Sequence, residues 1–159
     1  MRQWESAVML VAALVIAKPS GAQSTVRCTS DAIGSTTYSR CSNGTRSTAE
    51  TIGGTTYIRD NAGRRATVDT YGSTSYYRDN LGTRGTADTY GSTTYTRTNQ
   101  GTRGTIDSYG STSYYRDNTG TRATIDQVGS STITRIRVPD ASSNRYVPIP
   151  IVPYPTRRP

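Results

Sequence analysis

Tyr71-Gly72-Ser73-Thr74-Ser75-Tyr76-Tyr77-Arg78-Asp79-Asn80-Leu81-Gly82-Thr83-Arg84-Gly85-Thr86-Ala87-Asp88-Thr89 is one copy of a 19-residue unit, and the rest of the chain is read outward from it. Its first position recurs as Ile33, Ile52, Tyr71, Tyr90, Tyr109 and Val128, each followed by Gly. The sixth is Tyr38, Tyr57, Tyr76, Tyr95 and Tyr114, then Ile133. The eighth is Arg40, Arg59, Arg78, Arg97, Arg116 and Arg135; the fourteenth is Arg46, Arg65, Arg84, Arg103 and Arg122. The eighteenth is acidic: Glu50, Asp69, Asp88, Asp107 and Asp126. Five whole units cover 33–51, 52–70, 71–89, 90–108 and 109–127, with a partial unit at 27–32 and a degraded one at 128–138. Self-similarity at such a period marks a repeat architecture.

Each unit reads as two short strands rich in Thr and Tyr, without a 3.6-residue apolar period, so helix is excluded. Asp79-Asn80-Leu81-Gly82 suits a type I turn closed by Gly. Gly72-Ser73 suits a two-residue type II′ hairpin loop. Under that loop geometry Ile33 faces Thr36, and counting outward puts Cys28 opposite Cys41. A cross-strand disulfide there would stabilise the N-terminal end by about 3 kcal/mol in the chain-entropy model.

Alternation along strands then assigns two faces. Tyr71, Thr74, Tyr76, Arg78, Arg84, Thr86 and Asp88 share one, and Ser75, Tyr77, Thr83, Gly85, Ala87 and Thr89 the other. The recurring Tyr, Arg and Asp form a grid in which Arg pairs with carboxylate or stacks on Tyr. Arg78 faces Arg84, so carboxylates are expected close by to separate them. The seventh position (Ser39, Ile58, Tyr77, Thr96, Tyr115) varies freely, which suggests solvent. A lone hairpin cannot bury a face, so units must stack. The expected fold is all-β, with 19-residue hairpins forming a solenoid or an antiparallel meander, barrel or propeller-like closure being undecided.

Outside the repeats the chain changes character. Arg2, the apolar run Ala7–Ala17 and the small residues Ser20-Gly21-Ala22 read as an export signal over 1–22, cleaved between Ala22 and Gln23. The apolar run is shorter than the roughly 20 residues a spanning helix needs, so no transmembrane anchor is expected. Removing Arg2, Lys18 and Glu5 with that segment leaves 17 basic and 10 acidic groups, a net charge of +7. Residues 139–159 are a Pro-rich extended tail, either disordered or a docking segment.

The motif Tyr-x-Arg-Asp-Asn-x-Gly-x-Arg, seen at Tyr57–Arg65 and Tyr76–Arg84, resembles the hairpin repeats of YD/Rhs-type bacterial extracellular proteins. It is also similar to the Tyr-rich hairpins of cell-wall-binding domains. That class binds choline through Trp-rich cages, and here the only Trp, Trp4, lies in the expected signal. Both resemblances imply a secreted, periplasmic or cell-surface array of hairpins.

The chain has no His, and its only Lys, Lys18, goes with the signal. With both cysteines expected in a disulfide, the usual bases and nucleophiles are missing, so the reading is non-enzymatic, with no catalytic residues and no cofactor. No His completes a two-Cys metal site, and Cys41 and Thr98 replace the leading Asp in two of the turns that would otherwise suggest calcium, so no metal is expected. Nucleic acid is a poor partner for an exported protein. The expected function is a structural or adhesive module contacting an anionic envelope or matrix polymer. The alternatives are a self-associating, functional-amyloid-like fibre subunit and, behind it, ice binding by ranked Thr.

Overall fold

The computed structural model describes residues 24–139 together with two dipeptides, Val8–Met9 (β1) and Val152–Pro153 (β14), which pair antiparallel. The expected export signal with its Ala22–Gln23 bond, and the Pro-rich tail beyond Pro139, otherwise lie outside the described residues. The described repeats build β2 (Ser24–Ile33), β3 (Thr36–Cys41), β4 (Arg46–Ile52), β5 (Thr55–Asp60), β6 (Arg65–Tyr71) and β7 (Thr74–Asp79). They continue as β8 (Arg84–Tyr90), β9 (Thr93–Thr98), β10 (Arg103–Tyr109), β11 (Thr112–Asp117), β12 (Arg122–Val128) and β13 (Ser131–Val138). No helix occurs among the described residues. Consecutive strands pair antiparallel, and β13 pairs with β2, so the meander closes into a barrel.

Both turns are those the unit specifies. Gly72 has φ 58° and Ser73 stays at negative φ, the signature of a II′ loop, and Tyr71 pairs with Thr74 beyond it. At the other end the Gly82 amide donates to the Asp79 carbonyl at 3.3 Å, and the Asp79 amide to the Thr83 carbonyl at 3.0 Å. Gly82, at φ 83°, completes a three-residue loop that keeps strand parity, with Arg78 opposite Arg84. Cys28 and Cys41 are register partners and form a disulfide.

The seam explains the two incomplete units. Arg135, at the eighth position, lies opposite Arg27, which occupies the fourteenth position of the partial unit. Residues 128–138 and 27–32 are therefore the two halves of a sixth unit, divided between the two ends of the repeat region and rejoined across β13 and β2. Closure leaves no unpaired edge. The register shifts by two residues per unit: Arg97, the equivalent of Arg78, sits opposite Thr86 and not Arg84. Such a stagger accompanies the strand tilt of a barrel and brings equivalent residues to one height on its axis.

The interior holds the face without the Tyr/Arg grid. Val26, Ile106, Tyr115, Ala123 and Ile136 pack with the disulfide on one side, and Ala49, Ile58, Ala66 and Val68 with Tyr77 on another. Nearer the Gly-Ser end, hydroxyls bond each other, as in Ser30–Ser39 at 2.7 Å and Thr89–Thr94 at 2.9 Å. This corrects the expectation that the seventh position faces solvent. Ser39 and Ile58 are buried, Tyr77 and Thr96 half-buried, and Tyr115 is only 2% exposed. The position varies because barrel filling is done by complementary partners rather than identical rungs. Tyr77 opposes Gly85, Thr96 opposes Gly104, and Ile58 opposes Ala66. A Cβ on Gly104 would stand 2.9 Å from the Tyr115 ring, so the glycine makes room for it.

Candidate functional site

The grid covers the outer surface. Asp69 receives the Thr55 hydroxyl at 2.6 Å from its own unit and the Arg78 guanidinium at 3.2 Å from the next. Asp126 does the same with Thr112 and Arg135. Arg116 reaches Asp107 at 3.5 Å, while Arg97 donates to the Thr86 hydroxyl. At the seam Ser131 donates to Asp31 of the partial unit. The carboxylates thus link neighbouring strands around the barrel. These arginines are largely exposed, so each pair contributes little on its own.

Among the described residues, carboxylates bond three of the eighth-position arginines, Arg78, Arg116 and Arg135, and none of the fourteenth. Among the described residues no hydrogen bond or ion pair reaches the side chains of Arg46, Arg65, Arg84, Arg103 or Arg122, all of them exposed. Each nonetheless lies directly opposite another arginine: Arg40–Arg46, Arg59–Arg65, Arg78–Arg84, Arg97–Arg103 and Arg116–Arg122. The carboxylates expected to separate these pairs lie on the Tyr side of the girdle, around the sixth position. Like charges directly across a sheet destabilise it. The result is a cationic girdle at one height, beside the Asp-Asn-x-Gly loops.

Tyrosines flank the girdle. Tyr57, Tyr76, Tyr95 and Tyr114 are roughly half exposed. In three consecutive units the sixth-position ring sits beside the first-position ring, with centroids 6.2 Å apart at Tyr71–Tyr76 and Tyr90–Tyr95, and 6.3 Å at Tyr109–Tyr114. Two adjoining surface grooves open here. One, of about 660 Å³, is lined by Asp88, Tyr95, Arg97, Arg103, Thr105 and Arg116, over Gly104. The other, of about 560 Å³, is lined by Tyr76, Arg78, Arg84, Thr86 and Arg97, over Gly85.

A second polar cluster lies inside. Arg64 and Asp79 form a buried ion pair at 2.9 Å, and Tyr77 donates to the same carboxylate oxygen, also at 2.9 Å. Burial alone would raise the Asp79 pKa, but the Thr83 amide, the Tyr77 hydroxyl and the Arg64 guanidinium together hold it below the usual carboxylate range. Burial, the charge of Asp117 and the hydrogen bond donated to it push the Tyr115 phenol well above its ordinary value. This cluster couples loops to core and is shielded from any ligand.

One repeated residue has a role beyond its turn. The Asn80 side chain accepts from the Arg65 amide at 2.9 Å and donates to the Gly63 carbonyl at 3.2 Å, clamping its loop to the preceding one. Asn61, Asn99 and Asn118 repeat the clamp. Its recurrence at the tenth position was the available signal; the turn alone does not require it.

No family model, curated protein or solved structure matches the chain. The girdle must therefore be interpreted by its own chemistry.

Proposed function

We propose that this protein is an exported, non-enzymatic adhesive or structural module that holds an anionic envelope or matrix polymer against the outside of its barrel. The observation that carries this reading is the row of exposed arginines set opposite other arginines with no carboxylate bonded to them. Five repeats of a destabilising pair make sense where a ligand supplies the missing negative charge, since proteins depart from their own folding rules mainly at functional sites. Guanidinium binds carboxylate and sulfate bidentately, and the neighbouring Tyr rings offer sugar-stacking faces.

The closed sheet favours this reading over a cross-β fibre, which needs free edges to grow. Thr arrays interrupted by Arg and Tyr on a curved surface do not favour ice. The outward mid-strand residues, such as Thr67, Asp69 and Arg78, lack the apolar outer band of a lipid-facing barrel. The resemblance to extracellular hairpin arrays agrees with export.

The test uses residues 23–159 and an immobilised acidic polysaccharide. Retention at low ionic strength, steadily lost as salt rises, is expected. A neutral dextran should retain nothing, and the free protein should run as one monomeric species. Absence of retention on every acidic polymer at low salt would overturn the reading.

A further inference from the structure

The girdle runs around the barrel, and two grooves in it lie side by side, in adjoining units. Both lie where the fifteenth position is Gly85 or Gly104, whose inward faces accommodate close neighbours. They share Arg97, which belongs to the lining of each. The groove over Gly85 adds Tyr76 and the unpaired Arg84; the one over Gly104 adds Tyr95 and the unpaired Arg103. Each tyrosine is buttressed edge-on by a first-position tyrosine, which limits how far the ring can turn. In the units that start at Ile33 and Ile52 the buttress is aliphatic.

From this arrangement we infer that the two grooves are consecutive subsites of one saccharide-binding cleft, taking alternate uronic-acid residues of an acidic polysaccharide. This rests on the function proposed above and narrows it to one part of the surface. The volumes, about 660 and 560 Å³, fall in the range of small-ligand pockets. Two strands and a two-residue stagger separate equivalent residues of neighbouring units, about 12 Å at the usual strand spacing and rise, a stride nearer to two rings of an extended pyranose chain than to one. In each groove a Tyr ring supplies a stacking face and an unpaired Arg a bidentate partner for the ring carboxylate. Asp88 lines the larger groove; one carboxylate oxygen accepts from the Thr74 hydroxyl at 2.8 Å, and with no ion pair to Arg97 the other is open to accept from sugar hydroxyls. A carboxylate in that place disfavours a polyphosphate backbone and favours a hydroxylated ligand.

Titrating residues 23–159 with alginate oligomers of defined length tests this. Affinity should rise most between two rings and three, the shortest oligomer that reaches both grooves, and then level off. Arg84→Gln with Arg103→Gln should weaken binding at least tenfold, whereas Arg46→Gln with Arg122→Gln, removing the same charge, should weaken it less than threefold. Tyr76→Leu with Tyr95→Leu should also cost at least tenfold for alginate, with unchanged circular dichroism. Equal losses from the two arginine pairs would overturn the cleft while leaving the girdle reading standing. No loss from either pair would overturn both. Tighter binding of a polyphosphate than of alginate would overturn the saccharide assignment.

Discussion

Single residues in this barrel have consequences that can be measured one at a time. Thr134 is fully buried, and its hydroxyl finds no partner. Thr134→Val should therefore raise stability by about 1 kcal/mol, read as a higher denaturant midpoint at unchanged slope, because it removes an unsatisfied group at nearly constant volume. Asp79→Asn should do the opposite, at a cost of about 3 kcal/mol, since it leaves Arg64 buried without its counter-charge. The Asp79 pKa is lower in the folded state than in the unfolded one, so its contribution is fully present above about pH 4 and lost as pH falls through the folded value. Acid titration of the wild type and of Asp79→Asn should converge at low pH. Tyr115 has the reverse sign. Its raised value means the folded protein keeps a proton the unfolded chain releases above about pH 10, so stability falls as alkalinity increases. Ultraviolet titration should show one tyrosine lagging behind the exposed ones.

Elements are joined by devices of different strength. The Asn clamps tie each three-residue loop to the one before it, and replacing Asn80 by Ala should cost about 1 kcal/mol and loosen two loops at once, visible as faster amide exchange at Arg65. The disulfide staples β2 to β3 beside the seam, where the ladder joins residues about 100 apart in sequence. Reducing it should cost about 3 kcal/mol and open the barrel first between β13 and β2. This scale was the most legible in the sequence. Gly-Ser and Asp-Asn-x-Gly specify their loops because few residues tolerate positive φ, and the loops then dictate register, which is why Cys28 met Cys41 as counted. Which face turns inward was not legible. Large aliphatics are scarce on both, and tyrosine stands on both, so alternation supplied the parity, while free variation at the seventh position pointed to the wrong sign. Only the pairing of Tyr77 with Gly85 and of Ile58 with Ala66 reveals the interior, and that complementarity runs between strands, where a column of repeats hides it.

At the scale of the whole molecule, the sequence left closure undecided because nothing local encodes it; the cue was distributed between the two ends of the repeat region, whose fragments complete one another. The surface arginines were legible as a grid, but which of them a carboxylate bonds was not, since it depends on which neighbour each carboxylate reaches. Replacing Arg65, Arg84 and Arg103 together by Lys separates a structural role from a binding one. Among the described residues those side chains bond nothing, so the melting temperature should change little while affinity for acidic polysaccharide drops with the loss of the planar fork.

The constant two-residue stagger makes the barrel's girth a whole number of units. Copying residues 71–89 once more into the chain would add two strands and one more equal step, preserving tilt while enlarging the circumference. Such a chain should still close on itself, and its extra width would have to be met by larger inward side chains or by water. Growth by duplication of a short gene segment is thereby open to this architecture in discrete sizes, each of them able to seal its own ends.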